Sequence, residues 1–110
     1  MYTYNATVLK VIDGDTLQLN IDLGFRVGFK ANCRLNGLNT SELNSKNEDE
    51  RLDAIRSKGF LEATAPAGSS VTIVSASLDK YGRPLIELLV GGNNINQQMM
   101  SEGYAKPYKV

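Results

Sequence analysis

Residues from about Thr3 to Ile12 mix Tyr, Thr, Val and Ile, the side chains that suit a pleated strand. Asp13-Gly14 interrupts them as a turn signal. Leu17, Leu19, Ile21 and Leu23 then alternate with Gln18, Asn20 and Asp22, a period of two that predicts a strand with one buried face. Gly24 ends it. The alternation resumes with Val27, Phe29, Ala31, Cys33 and Leu35, separated by Gly28, Lys30, Asn32, Arg34 and Asn36. Arg34 therefore falls on the face opposite Phe29, Cys33 and Leu35. Three neighbouring strands joined by tight turns predict an antiparallel meander.

The period changes near Glu48. Leu52, Ile55, Gly59 and Ala63 recur at helical spacing, and Phe60 and Leu61 widen the stripe. Glu48, Asp49 and Glu50 suit the positive end of a helix dipole, so a helix is predicted over 48–64, with Ser41 or Asn44 near its approach. Pro66 and Gly68 end it. Val71, Ile73 and Val74 open another strand, Asp79–Pro84 form a hairpin loop, and Leu85–Val90 return. After the turn Gly91-Gly92-Asn93-Asn94, a short helix is expected over 95–102, capped by Asn94 and stopped by Gly103. The tail from Tyr104, containing Pro107, should be extended. The predicted class is mainly β with α (α+β). It is a five-stranded, OB-fold-like antiparallel barrel with a helix between strands 3 and 4 and a short C-terminal helix.

The 110 residues fit a single domain, 1–110. A chain of this size buries roughly 65% of its unfolded surface, enough for one core. Twelve Lys and Arg balance twelve Asp and Glu. A binder that relies on a general excess of positive charge is therefore disfavoured. There is no His, which excludes imidazole acid–base catalysis, Ser-His-Asp hydrolysis and two-His zinc sites. The single Cys33 excludes an internal disulfide and multi-Cys metal centres. It falls on the apolar side of its strand, where a buried, inert thiol is expected. Any catalysis must rest on carboxylates, Arg, Lys, Tyr or a hard cation held by oxygen. No segment is long and apolar enough to span a membrane, and no secretory leader is visible, so an intracellular location is expected.

Three segments carry charges that a strand plan does not need. Asp13-Gly14-Asp15-Thr16 is accounted for as a hairpin turn with Gly supplying an unusual φ, or as a carboxylate turned inward on a divalent cation. Arg34 to Glu42 reads as a strand running into a loop, yet it gathers an Arg, amides, hydroxyls and a carboxylate. Asp79-Lys80-Tyr81-Gly82-Arg83 reads as a solvated hairpin tip, or as a loop whose guanidinium grips a phosphate. Together they suit phosphodiester hydrolysis without His: a cation and two guanidiniums to stabilise charge on phosphorus, and a carboxylate to orient or deprotonate water.

These motifs, in this order, resemble a staphylococcal-nuclease-like (thermonuclease) domain, and Asn94 to Ala105 resembles that family's later helix and Gly-x-Ala exit. The resemblance spans about residues 8 to 106. It implies a five-stranded OB-like barrel that cuts DNA and RNA with Ca²⁺ and leaves a 5′-hydroxyl. Carried over by position, it implies catalytic roles for Arg34, Glu42 and Arg83. Asp15 matches a Ca²⁺ ligand, Thr40 matches the backbone carbonyl donor, and Asp13 matches a residue near the site. Tyr81 matches a phosphate contact, and Tyr108, across a one-residue gap, matches an aromatic lining the base pocket.

Some positions depart from the pattern. Asn39 stands where the family usually has a ligating Asp; Ca²⁺ accepts amide oxygens, so weaker binding is expected rather than none. Ser41 replaces a usual Pro. The short chain is expected to be either a compact member, as small phage or mobile-element proteins often are, or a trimmed form. Substrate grip is expected from the site and from Lys46, Lys80, Lys106 and Lys109, with Lys30 equally explained as a solvent face. Two readings follow. One is a monomeric Ca²⁺-dependent phosphodiesterase (endo- or exonuclease) preferring single-stranded DNA or RNA. The other is a weakly catalytic or inactive module on the same fold that binds nucleic acid or a peptide.

Overall fold

The computed structural model describes residues 2–108; Lys109, expected to help grip substrate, lies outside them. The alternating segments become β1 (Tyr2–Asp13), β2 (Thr16–Asp22) and β3 (Gly28–Leu35). They are followed by a two-residue β4 (Leu38–Asn39), α1 (Glu48–Thr64), β5 (Ser70–Leu78) and β6 (Pro84–Val90). A short β7 (Asn93–Asn94), α2 (Ile95–Ser101) and β8 (Lys106–Pro107) complete the described chain. β1, β2 and β3 form the antiparallel meander, β5 pairs with β1, and β6 pairs with β5. β3 and β6 close the barrel through Arg34 opposite Leu85 and Leu35 opposite Ile86, and this pair is parallel. The parallel seam follows from number. Around a closed ring of five strands, directions cannot alternate throughout, so one neighbouring pair must run the same way.

The barrel is filled by Val8, Leu17, Leu19, Leu35, Ile73, Ile86 and Leu88, with Leu61 of α1 and Ile95 and Met99 of α2 packed against them. α1 has the predicted span, but it buries a different face. Leu52 and Ile55 are each 58% exposed, whereas Ala54, Ser57 and Leu61 are inside. The helix runs so close to the β1–β2 turn that only small side chains fit between them. A Cβ on Gly14 would lie 2.8 Å from that of Ser57. The helix cap also differs from the expected approach: Asn47 accepts the Glu50 N–H at 3.1 Å. α2 is capped by Asn94, as expected. Val27 and Phe29 follow the inward alternation yet are half exposed, because the β2–β3 hairpin runs on past the filled end of the barrel. The tail is extended where β8 pairs with β4.

Candidate active site

The β1–β2 turn brings the first pair of carboxylates to the barrel's rim. Gly14 there does not adopt a left-handed φ, so the reason for Gly is space. A Cβ would also sit 3.0 Å from the Thr40 hydroxyl oxygen, so the bare backbone lets the turn press against Thr40 and α1. Asp13 accepts the Asp15 backbone N–H at 3.1 Å. Asp15 is 9% exposed, and its carboxylate accepts the Thr16 hydroxyl at 3.0 Å. The Leu35 N–H donates to the Asp15 carbonyl at 2.8 Å, which ties the turn to the end of β3.

From that strand end Arg34 projects outward, as the alternation requires. Its Nη2 lies 3.6 Å from Asp15 Oδ2 and donates to Asn39 Oδ1 at 3.1 Å and to the Leu38 carbonyl at 3.4 Å. Its guanidinium sits 5.6 Å from the centre of the Tyr108 ring. The loop that follows is held by a residue that pattern reasoning gave no role. Asn96 of α2 is 2% exposed, donates to the Asn36 and Ile86 carbonyls at 3.0 Å each, and accepts the Leu88 N–H at 2.9 Å. A buried amide with every hydrogen bond satisfied fixes where the loop leaves the barrel. Further along, Ser41 donates to Asp53 of α1 at 2.8 Å, a tether in place of the expected Pro.

The β5–β6 loop presents the second arginine. Asp79 Oδ1 accepts the backbone N–H of Tyr81 and of Arg83, both at 2.9 Å, while Oδ2 lies 2.7 Å from Arg83 Nε. One carboxylate thus shapes the loop and holds the guanidinium by its Nε, and the same arginine lines the cleft. Asp79 belongs to a recognised motif, but only the folded loop gives it this part. Tyr81 lies beneath both cations, 5.5 Å from Arg83 and 5.2 Å from Lys80.

Two adjoining clefts receive all these groups. One, of about 490 Å³, is lined by Asp13, Asp15, Asn39 and Thr40. The other, of about 680 Å³, is lined by Lys80, Tyr81 and Tyr108. Arg34, Glu42 and Arg83 line both. Lys30, Lys46 and Lys106 line neither.

The two carboxylates of the smaller cleft are shifted in opposite directions. Burial, and then the neighbouring Asp15 carboxylate, push Asp13 up to about 6. Burial would raise Asp15 as well, but its hydrogen bond with Asp13, the Arg34 charge, the Thr16 hydroxyl and the Thr40 N–H outweigh it and hold it below the usual range. At Asp79, lost hydration is likewise outweighed by the Arg83 N–H and guanidinium and the Tyr81 N–H, and its carboxyl is held low. Burial pushes the Cys33 thiol up to about 11, which leaves it unreactive.

Two facing carboxylates, an amide oxygen and a main-chain carbonyl are hard oxygen donors of the kind Ca²⁺ takes, so the donor set fits that ion. The fit is lean in charge. Among the described residues no three acidic, His or Cys side chains cluster, and Asn39 Oδ1 is turned to Arg34. No helix is long and apolar enough to cross a membrane among the described residues.

A family model described as staphylococcal nuclease homologue matches residues 32–110. The match takes in Arg34, Asn39, Thr40, Glu42, Lys80, Tyr81, Arg83 and Tyr108. It begins after Asp13 and Asp15, which the β1–β2 turn carries to the same clefts. No curated protein matches the chain.

Proposed function

This chain belongs to the staphylococcal nuclease homologue family, and we propose that it is a Ca²⁺-dependent nuclease that hydrolyses phosphodiester bonds of DNA or RNA and leaves a 5′-hydroxyl. The observation that carries this reading is the junction of the two clefts, where Arg34, Glu42 and Arg83 converge between a lean cation site and a pair of exposed aromatic rings.

Asp15, the Asn39 amide oxygen and the Thr40 carbonyl would hold the cation, with Asp13 beside them. Bound Ca²⁺ supplies positive charge to the phosphate oxygens as the reaction proceeds. The chain's own groups do the rest. Arg34 and Arg83 grip the phosphate from two sides, and both are held by neighbours, so little reorganisation is needed as charge develops. Glu42 orients a water and takes its proton as the water oxygen bonds to phosphorus. The P–O5′ bond breaks, and the departing oxygen gains a proton from solvent. Tyr81 and Tyr108, 73% and 47% exposed, offer ring faces to bases of an unpaired strand, which favours single-stranded substrates.

A second reading, a module that binds nucleic acid without cutting it, is favoured by one observation: Asn39 replaces a charge at the cation site and its oxygen faces Arg34. Hydrolysis of denatured DNA with Ca²⁺ and with EDTA separates the two. Cutting that requires Ca²⁺ and stops with EDTA is expected. Binding without cutting at saturating Ca²⁺ moves the assignment to the module.

A further inference from the structure

β2 and β3 carry a second set of polar groups that the reaction does not use. On their outward face, Arg34 at the cleft is followed by Asn32, which accepts from Gln18 at 3.3 Å, and then by Lys30 opposite Asn20. Asp22 is the one carboxylate on this face, and it accepts the Gly24 N–H at 2.8 Å. A Cβ on Gly28 would lie 2.6 Å from Asn20 Oδ1, so Gly leaves room for that amide to lie across the ladder. The lane is rich in amides and carries Lys30 and Arg34 against the single carboxylate of Asp22.

It ends in a turn of unusual composition. Val27 N–H donates to the Gly24 carbonyl at 2.9 Å, and the two central residues, Phe25 and Arg26, have φ of 54° and 63°. This is a type I′ turn, whose central positions ordinarily take Asn and Gly. A Phe in the left-handed region is uncommon and strained. The ring rests on nothing, being 101% exposed, with a guanidinium on the next residue. Strain of this kind persists at sites that use it.

We propose that this lane is a non-catalytic track for a single strand of nucleic acid, leading from Arg34 along β2 and β3 to a base stacked on Phe25. It rests on the reading of the cleft as a nucleic-acid site, with which it is continuous through Arg34. Cations and amides suit a phosphodiester backbone, and an unpartnered ring suits any base. At about 3.3 Å per residue the lane from residue 34 to 26 is about 26 Å long. An unpaired strand of a few extended nucleotides spans that length, within the about 4–16 nucleotides that an OB fold covers.

The test compares oligothymidylates of about 3 and about 12 nucleotides, one below and one within the about 4–16 nucleotides that an OB fold covers. Fluorescence anisotropy in EDTA reads binding without cutting. The wild type binds the longer strand more tightly. Phe25→Asn weakens the longer strand about tenfold and leaves the shorter one unchanged, as loss of one stacked base requires. Lys30→Gln lowers the salt slope by about 0.7 for the longer strand alone. Asn tolerates the turn's φ, so Phe25→Asn should raise the unfolding midpoint by about 4 °C, which separates lost binding from lost folding. Unchanged binding of the longer strand, or equal losses on both strands, overturns the track while the cleft reading stands. A wild-type dimer that Phe25→Asn dissolves overturns it in favour of contact between copies. Failure of the wild type to bind either strand overturns the track and the nucleic-acid reading together.

Discussion

The two halves of the cleft are built from different material. The half lined by Asp13, Asp15, Asn39 and Thr40 is framed by strand ends and a helix, and its pieces are bonded to one another. The half lined by Lys80, Tyr81 and Tyr108 depends largely on one loop, shaped by the single carboxylate of Asp79. The first has fixed donors but little negative charge. The second has exposed rings with cations set against them. Fixed oxygens are what an ion needs, and accessible rings are what a varied sequence of bases needs. Arg34, Glu42 and Arg83 stand where the two requirements meet.

Removing the arginines tests that division most severely. Arg83→Ala and Arg34→Ala should each lower hydrolysis by about 10²- to 10³-fold, the cost of losing one transition-state donor. They should differ in cation binding. Arg34 competes for Asp15 from 3.6 Å, so its loss tightens Ca²⁺, whereas the loss of Arg83 leaves Ca²⁺ affinity unchanged. Calorimetric titration of both variants checks this; identical Ca²⁺ affinities would erase the distinction between the halves.

Asn39→Asp should sharpen it. A carboxylate restores the missing charge, and Ca²⁺ should bind about tenfold tighter, about 1.4 kcal/mol. A thermal-shift titration that shows no gain would remove residue 39 from the cation site.

Asp79→Ala probes the loop-built half. Arg83 loses its Nε partner and the turn loses its acceptor, so KM should rise about fivefold, the worth of about one hydrogen bond. Asp79→Asn keeps an acceptor and should recover most of the loss. Equal damage from both would assign the effect to charge alone.

The smallest effect concerns stability. Asp13 titrates at about 6 in the folded protein, against an ordinary 3.8. The folded state holds this proton more tightly, so the stabilisation is full below pH 3.8 and is lost as pH rises through about 6. Asp13→Asn cannot ionise. Without metal, it should exceed the wild type by about 1 kcal/mol at pH 8, allowing for solvent screening of a half-exposed group, and match it near pH 4. Denaturant titrations at both pH values check the sign, and added Ca²⁺ should reduce the difference.

Much of this was legible in the chain. The alternation of Leu17, Leu19 and Ile21 marks a strand because one face must be dry, and the expected site residues lie in motifs that the barrel folds to one rim. What was hidden depends on spacing between elements. Nothing local distinguishes Leu52 from Leu61; the close approach of α1 to Gly14 selects the small face. Gly14 looks like a turn glycine and serves as a gap. Asn96 reads as an ordinary helix residue until the Asn36 and Ile86 carbonyls are beside it. Phe25 and Arg26 carry no turn signal, because their backbone adopts a conformation their side chains disfavour.

The central claim, that the junction performs the chemistry while the halves bind, is tested most directly by Glu42→Gln assayed for both properties. Hydrolysis of denatured DNA in Ca²⁺ should fall by about 10²- to 10⁴-fold, the range for losing a general base. Affinity for an unpaired strand should stay within about twofold, because Glu42 donates nothing to the phosphate or the bases. A variant that still cuts at the wild-type rate would contradict the account.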